Sequence, residues 1–226
     1  MIYFLSYPFL FVLARLILRV LGRLRSSGEG NVPRRGGVLY CPNHISDADP
    51  PTIFVTAPRR CWMVGKQEIF EIPFLGPWFA QLQAIPIQRD SPDRAALRRI
   101  EQVLKGGEAV LLFPEGRASE DGRLQRLQPG VALVALRTAT PIIPIGLENV
   151  NGVLPYGAVV PRWSPRPVVV TYGPPIRPQD FGSLPRGKAV EAITQKLGEE
   201  LARLTHQPPP PDSRSARFTS GGLTKT

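Results

Sequence analysis

The sequence has little of the residues that build metal centres and disulfide frameworks. Its 226 residues include only two histidines and two cysteines. Cys41 and Cys61 stand in or beside apolar segments, without the paired spacing of a zinc site. We expect both to be buried, reduced thiols, which suggests a cytosolic active domain. This scarcity disfavours a disulfide-stapled scaffold and a cysteine-histidine zinc module, while one disulfide between the two cysteines stays open.

Acidic residues are also in deficit. The chain has 28 lysines and arginines against 18 aspartates and glutamates, a net charge of +10. Such a balance favours anionic partners by long-range attraction. Nucleic acid, anionic lipid surfaces and phosphorylated small molecules all qualify, so charge alone does not choose among them.

The amino terminus lacks an uncharged apolar run long enough to cross a membrane. Residues 1–14 are apolar apart from Ser6, but Arg15, Arg19 and Arg23 follow. As a helix, residues 1–14 would reach only about 21 Å, short of a hydrocarbon core of roughly 30 Å. A secretory signal would place positive charge before the apolar run and a small-residue cleavage site after it. Neither feature is evident here.

The spacing of the three arginines instead predicts an amphipathic helix over residues 1–25. A spacing of four puts the arginines on one side of the helix. Apolar residues fill the rest: Leu13, Leu16, Ile17, Val20, Leu21 and Leu24. We expect this helix to lie in a membrane interface with its arginines at the phosphates. The alternative is a helix packed on the protein's own core.

Apolar runs and helical patterns alternate along the rest of the chain, after a turn-rich joint at residues 26–37. Strands are predicted in "VLYC", "RCWMVG", "AIPIQR", "EAVLLFPEG", "PIIPIGL" and "PVVVTYG". Helices are predicted in "DPPTIFVTA", with Asp49 as its cap, in "SPDRAALRRIEQVLKGG", with a serine cap, in "PGVALVALRTAT" and in "RGKAVEAITQKLGEELARL". Short broken helices are expected in "EIFEIPFLGPWFAQLQ". The alternation predicts an α/β fold over residues 26–206, with a mostly parallel central sheet flanked by helices. Residues 207–226 are expected to be a disordered tail.

Two segments share one arrangement, in which an apolar strand is followed by a proline and then by polar residues. They are "GVLYCPNH" and "AVLLFPEG". In an open parallel sheet, ligands collect outside the carboxyl ends of the strands. We therefore expect one rim to gather the polar residues of both segments: Asn43, His44, Glu115, Gly116 and Arg117.

His44 is the candidate general base at this rim. A carboxylate from Asp47 or Asp49 could fix its tautomer and leave the other ring nitrogen free to accept a proton. No nucleophile accompanies it, because Ser46 has no G-x-S-x-G setting and Cys41 is expected inside a strand. A histidine-aspartate pair of this kind indicates direct transfer, in which a deprotonated substrate hydroxyl attacks a neighbouring carbonyl. The alternatives are a metal site, which lacks a second histidine, and a structural loop histidine beside a helix cap.

Basic residues near the same rim suggest a phosphate. Gly116 would let the backbone approach a ligand closely, and Arg117 could grip a phosphate by two hydrogen bonds. Lys66 and Arg89 also follow apolar segments and could add positive charge. The alternative for each basic residue is a solvated surface charge.

Taken together, these segments resemble the glycerolipid acyltransferase family, which includes the bacterial 1-acyl-glycerol-3-phosphate acyltransferases. "NHISDAD" resembles its N-H-x-x-x-x-D motif, and "GKQEIFEIPFLG" with "AIPIQR" its second block. "FPEGRAS" and "PIIPIGL" resemble the third and fourth blocks, in the same order. The similarity covers about residues 30 to 175.

The resemblance implies acyl transfer from a thioester of coenzyme A or acyl carrier protein to the free hydroxyl of lysophosphatidic acid, giving phosphatidic acid. His44 would be the base and Asp49 its orienting partner. The substrate-binding residues would be Asn43, Lys66, Arg89, Glu115, Gly116 and Arg117. No metal or other cofactor and no nucleic acid is implied. The implied location is the cytoplasmic face of the cell membrane, at the lipid surface.

Two departures from the family pattern bear on the acceptor. Arg117-Ala118-Ser119 replaces the frequent Thr-Arg-Ser, and Gln88 stands where an acidic residue is common. The same chemistry on a lysophospholipid, on glycerol-3-phosphate or on an amino-lipid precursor therefore stays an alternative. An alternative of another class is a non-catalytic basic module that binds membranes or nucleic acid.

Overall fold

A mostly parallel sheet forms the centre of the computed structural model, which describes residues 2–66, 84–87, 93–158 and 160–211. Within these residues the strands are Arg25–Ser27 (β1), Val38–Pro42 (β2), Cys61–Lys66 (β3), Ile85–Ile87 (β4), Ala109–Leu111 (β5), Ile142–Glu148 (β6) and Val169–Tyr172 (β7). Their order is β1-β7-β6-β2-β5-β3-β4. Every neighbouring pair is parallel except β6 with β7. The predicted fold class is confirmed.

Helices cover both faces of the sheet. In the described residues they are Ile2–Val20 (α1), Asp49–Thr56 (α2), Arg94–Lys105 (α3), Gly130–Thr138 (α4), Val150–Val153 (α5) and Arg186–Thr205 (α6). Buried residues of α3, α4 and α6 form one core with one face of the sheet. A second core lies on the opposite face, where residues of α2 and α5 and the end of α1 pack. Burial of these apolar faces on both sides of the strands is what stabilises a parallel sheet.

The predicted strands and helices that fall in the described part of the chain are present, with shifted ends. The cap of α3 is Asp93, whose carboxylate accepts the Ala96 N–H at 2.8 Å, and not the predicted serine. Strand β1 was not predicted, because "RSS" is an exposed edge strand without an apolar pattern. The broken helices predicted in "EIFEIPFLGPWFAQLQ" lie outside the described residues.

The strand directions place the end of α1 at the same edge of the sheet as the predicted rim. Strands β2 to β6 all end at that edge. Because β7 runs against β6, and β1 runs parallel to β7, both begin there. The chain leaves α1 at Val20 and enters β1 at Arg25, so α1 reaches the sheet beside the rim.

Helix α1 has one packed side and one exposed side. Leu18 is buried, and Ile17 and Leu21 pack against the second core. On the other side Val12, Leu13, Leu16 and Val20 are exposed, and so are Arg15 and Arg19. The alternative weighed for this helix, packing on the protein's own core, therefore holds for one side of it, and contact with a membrane stays a prediction for the other side. No helix in the described ranges is both long enough and apolar enough to span a membrane.

Arg23 is the exception to the predicted arginine row. Its backbone has a φ of 46°, outside the helix. Its guanidinium donates to the Ser164 and Pro165 carbonyls, at 3.2 and 2.7 Å, and lies over the Trp163 ring. The expectation that Arg23 lies on the helix side that meets lipid phosphates is therefore wrong.

Two smaller predictions can be compared with the structure. Cys41 and Cys61 are buried free thiols, as predicted. Gln207, where the disordered tail was expected to begin, accepts the Leu124 N–H at 2.9 Å and donates to the Gly122 carbonyl at 3.1 Å. The chain therefore stays attached at that residue, and residues 212–226 lie outside the described part.

Candidate active site

A buried hydrogen bond joins His44 to Asp49 at the carboxyl end of β2. The ring Nδ1 of His44 lies 2.8 Å from Oδ2 of Asp49. Asp49 is fully buried, and His44 is 9% exposed. A carboxylate in this position favours the tautomer with hydrogen on Nδ1, because a carboxylate only accepts. The Nε2 lone pair of His44 is then available as a base.

The loop before α2 holds the Asp49 carboxylate in place. Its Oδ2 also accepts the backbone N–H groups of Ile45 and Ser46, at 2.6 and 2.9 Å. Burial raises the pKa of Asp49, and these hydrogen bonds oppose that rise. Asp49 is the first residue of α2 and not the predicted cap, since the cap position is Ala48. The carboxylate thus turns back over its own loop toward the imidazole.

The neighbouring strand supplies a wall for the imidazole. Strands β2 and β5 are paired in parallel, so Phe113, just past β5, lies beside His44. The two rings stack with centroids 4.0 Å apart and an interplanar angle of 25°. Sequence analysis did not single out Phe113, although it is the aromatic residue of the "FPEG" segment. Together with Asp49, this contact fixes the plane of the His44 ring.

Glu115 fastens the His44 loop to the loop that follows β5. Its two carboxylate oxygens accept the N–H groups of His44 and Gln125, each at 2.9 Å. The Ser119 N–H donates to the His44 carbonyl at 2.7 Å. Both backbone polar groups of His44 are therefore held by the second segment of the rim. Gly116, with a φ of 78°, makes the tight turn between Glu115 and these partners.

Asn43 and Ser46 serve the loop itself. The Asn43 amide donates to the Leu147 carbonyl at 3.0 Å and accepts the Leu147 N–H at 2.7 Å. The Ser46 hydroxyl donates to the Leu154 carbonyl at 2.6 Å and accepts the Ala48 N–H. Both side chains are fully buried. The predicted substrate contact of Asn43 would have to compete with its two bonds to β6.

The structure describes two of the three predicted basic residues, Arg117 and Lys66. Arg117 is exposed beside Glu115, with no ion pair or side-chain hydrogen bond in the described part of the chain. Lys66 is the last residue of β3, whose carboxyl end lies at the rim. Arg89 lies outside the described residues. Asp47 is exposed, accepts the Gly157 N–H at 3.4 Å and does not contact the imidazole.

The carboxyl group of Glu115 makes stability depend on pH in a defined direction. Burial raises its pKa from 4.5 to about 7, with nearby Asp49 adding to the rise. Between these values the folded protein binds a proton that the unfolded chain releases, so the free energy of unfolding falls as pH rises. Relative to Glu115→Gln, wild type should lose about 2–3 kcal/mol between pH 5 and 8. Chemical denaturation of both proteins across this range measures the difference, and a flat difference would contradict it.

The chain belongs to the acyltransferase family. The family's model matches residues 23–148, more than half of the chain, and includes His44, Asp49 and Glu115. This agrees with the class that the parallel sheet and the buried histidine-aspartate pair indicate. The resemblance drawn from the four sequence blocks is thereby confirmed.

Two relatives carry a more specific name. The 1-acyl-sn-glycerol-3-phosphate acyltransferase of Bacillus subtilis is 25% identical over 203 residues, which cover 89% of this chain and 98% of that protein. The chloroplastic enzyme LPAT1 of Arabidopsis thaliana, of the same name, is 32% identical over 139 residues, which cover 60% of this chain and 39% of that protein. The chain thus spans nearly all of the first relative and about two fifths of the second.

A solved structure shares the fold. The crystal structure of the 1-acyl-sn-glycerophosphate acyltransferase PlsC from Thermotoga maritima superposes with a TM-score of 0.64 at 24% identity. The match covers 82% of this chain and 75% of that one. It supports the arrangement of sheet and helices described above.

Proposed function

We propose that this protein transfers a fatty acyl group from an acyl thioester to the free hydroxyl of 1-acyl-glycerol-3-phosphate, giving phosphatidic acid. The observation that carries the proposal is the buried hydrogen bond between His44 and Asp49 at the rim of the sheet, in a chain that belongs to the acyltransferase family. The names of the Bacillus and Arabidopsis relatives support the acceptor. The thioester would come from acyl-coenzyme A or acyl carrier protein, and no other cofactor takes part.

In the proposed reaction, His44 first accepts a proton from the acceptor and then donates it to the leaving group. Nε2 of His44 removes the proton of the acceptor hydroxyl as its oxygen attacks the thioester carbonyl carbon. A carbon–oxygen bond forms and the carbon–sulfur bond breaks. The leaving thiolate takes the proton back from His44. Asp49 stabilises the imidazolium that exists between the two transfers.

The chain's own nucleophiles fit poorly with a covalent acyl-enzyme. The Ser46 hydroxyl is buried and bonded to the Leu154 carbonyl, on the backbone beyond β6. Burial raises the pKa of Cys41, and it raises the pKa of Cys61 to about 12, which disfavours both thiolates. Direct attack by the substrate hydroxyl is the mechanism that the site supports.

The acceptor's phosphate is proposed to meet Arg117, with Lys66 and Arg89 adding positive charge. Arg117→Ala should raise the KM for lysophosphatidic acid about tenfold with a smaller change in kcat, because a phosphate contact contributes mainly to binding. Arg186→Ala is the matched control, since Arg186 is an exposed arginine of α6 at the opposite edge of the sheet. An unchanged KM in Arg117→Ala would remove Arg117 from the acceptor site.

The acceptor itself is tested by profiling the purified protein. With one acyl-coenzyme A donor, we expect lysophosphatidic acid to be used in preference to lysophosphatidylcholine, glycerol-3-phosphate and an ornithine lipid precursor. The reason is the proposed contact of the Arg117 guanidinium with the acceptor, which favours a phosphate monoester. Product masses identify which acceptor is acylated. A clear preference for another acceptor would keep the chemistry and replace the proposed substrate.

Attachment to a membrane surface at its cytoplasmic face is part of the proposal. The exposed side of α1 carries Val12, Leu16 and Val20 together with Arg15 and Arg19. Such a side suits the interface between headgroups and acyl chains, with the guanidinium groups at the phosphates. Since α1 reaches the sheet at the rim, a bound membrane would present its lipid acceptor near His44.

A further inference from the structure

The segment between α5 and β7 carries three exposed apolar or aromatic side chains. Tyr156 is 50% exposed, Val160 73% and Trp163 59%. Large side chains at these exposures stabilise a folded chain little, so their presence within one short segment needs another account. Tryptophan and tyrosine are the residues that membrane-water interfaces favour, because each joins an apolar ring to a polar group.

This segment is bonded to the end of α1. The Ser164 N–H donates to the Leu21 carbonyl at 2.9 Å, and the Val168 N–H donates to the Gly22 carbonyl at 2.7 Å. The Arg23 guanidinium, 5.3 Å from the centroid of the Trp163 ring, donates to two carbonyls of the segment. The exposed ring of Trp163 is thus fixed beside the end of α1.

The same segment is bonded to the catalytic loop. The Ser46 hydroxyl donates to the Leu154 carbonyl at 2.6 Å, and the Gly157 N–H donates to the Asp47 carboxylate at 3.4 Å. Ser46 and Asp47 lie between His44 and Asp49 in sequence. Whatever holds the segment at a surface therefore also holds the loop that carries the base.

The charge of both elements has one sign. Residues 1–28 contain no acidic residue, and neither do residues 149–179. Arg15, Arg19, Arg162 and Arg166 are exposed. Basic groups around exposed apolar rings match the surface of an anionic bilayer, where each basic residue near the surface adds to the attraction.

We propose that residues 154–158 and 160–166 form a second contact with an anionic phospholipid surface, next to α1, with Trp163 inserted among the headgroups. This inference rests on the proposed membrane attachment of α1 and adds an orientation to it. One helix alone leaves the domain free to rotate about that helix. Two contacts, one of them bonded to the His44 loop, fix the rim toward the lipid.

Trp163 can be observed separately, because the chain has only three tryptophans, Trp62, Trp78 and Trp163. The Trp62→Phe/Trp78→Phe protein is mixed with vesicles of phosphatidylcholine and phosphatidylglycerol, with and without brominated acyl chains. We expect a blue shift of its emission and loss of most of the emission to the brominated lipid. The matched control retains only Trp62, which is half-buried in β3 with Arg99 over its ring, and should keep its emission.

A second variant measures how much the contact contributes. Trp163→Ala should weaken vesicle binding about tenfold in sedimentation, since one large apolar side chain leaves the interface. Leu184→Ala, at an exposed leucine outside both elements, should leave vesicle binding unchanged.

Three outcomes decide the inference. Quenching of Trp163 together with weaker binding of Trp163→Ala would support it. Vesicle binding without quenching of Trp163 would show that α1 acts alone and would overturn it. No vesicle binding at all would overturn both this contact and the attachment of α1. Because no substrate is present, none of these outcomes depends on whether acyl transfer occurs, and the acceptor assay tests that independently.

Discussion

Replacing His44 with asparagine is expected to lower the rate of acyl transfer by about 10²–10⁴-fold, the contribution of a positioned general base. The asparagine amide can still donate to Asp49 where Nδ1 did, at 2.8 Å in wild type. It has no basic nitrogen in place of Nε2. The expected change is therefore in kcat, with the fold retained. Steady-state kinetics with palmitoyl-coenzyme A and lysophosphatidic acid measure it.

The second histidine provides the matched control for this substitution. His206 caps α6 with a φ of 55°, in the left-handed region that asparagine tolerates well, and is exposed. His206→Asn should therefore keep both activity and stability. Similar activity in His44→Asn and wild type would show that His44 is structural and would contradict the mechanism.

Replacing Asp49 with asparagine is the second substitution with a large expected effect. The Asp49 Oδ2 accepts from the His44 ring and from two backbone N–H groups, so its negative charge serves three donors. Its Oδ1 is buried, with no hydrogen-bond partner in the described part of the chain. An asparagine must place its NH₂ either against those donors or in that unpartnered position. We expect kcat to fall about 10²–10⁴-fold, because the imidazolium loses its counter-charge whichever way the amide is oriented.

The effects of Asp49→Asn on stability and on activity can be measured separately, with a substitution of the neighbouring Asp47 as the control. Asp49→Asn should also cost about 1–3 kcal/mol of unfolding free energy, since a buried polar group is left without its bond. Asp47→Asn changes an exposed carboxylate of the same loop, which accepts one N–H at 3.4 Å, and should change neither quantity much. A loss of stability in Asp49→Asn without loss of kcat would make Asp49 a structural residue only.

Much of the fold could be predicted from periodicity and chain order. Apolar runs such as "VLYC" and "PIIPIGL" are buried on both faces, which is why they lack polar alternation and are recognisable as parallel strands. Strand β1 could not be predicted in this way. Its three residues are exposed and held by backbone bonds to β7, so no side-chain pattern marks it.

The candidate site was partly predictable for a similar reason. Spacing alone suggested that either Asp47 or Asp49 could reach His44, and the turn before α2 selects Asp49. The hydrogen bonds of the Glu115 carboxylate could not be predicted from spacing. Its partners are the backbone N–H groups of His44 and Gln125, and a backbone N–H group gives no sequence signal because nearly every residue has one. The same applies to Asn43, whose amide bonds to the backbone of β6.

The two-sided character of α1 also lies beyond sequence patterning. An apolar residue looks the same in sequence whether it meets the core, as Leu18 does, or solvent, as Leu16 does. Only the packed partner distinguishes the two. At Arg23 the chain turns out of the helix, where the Leu24 N–H bonds to the Leu18 carbonyl. The Arg23 guanidinium then reaches the Ser164 and Pro165 carbonyls, far away in the chain, and no sequence pattern marks those partners.

One assay tests the central claim most directly. Wild type and His44→Ala, each in detergent micelles, receive palmitoyl-coenzyme A and lysophosphatidic acid, and phosphatidic acid is measured by mass spectrometry, with palmitoyl-acyl carrier protein as the alternative donor. We predict phosphatidic acid from wild type and none above background from His44→Ala. Equal product from the two proteins, or no product from wild type with either donor, would contradict the proposal that His44 acts as the base for acylation of lysophosphatidic acid.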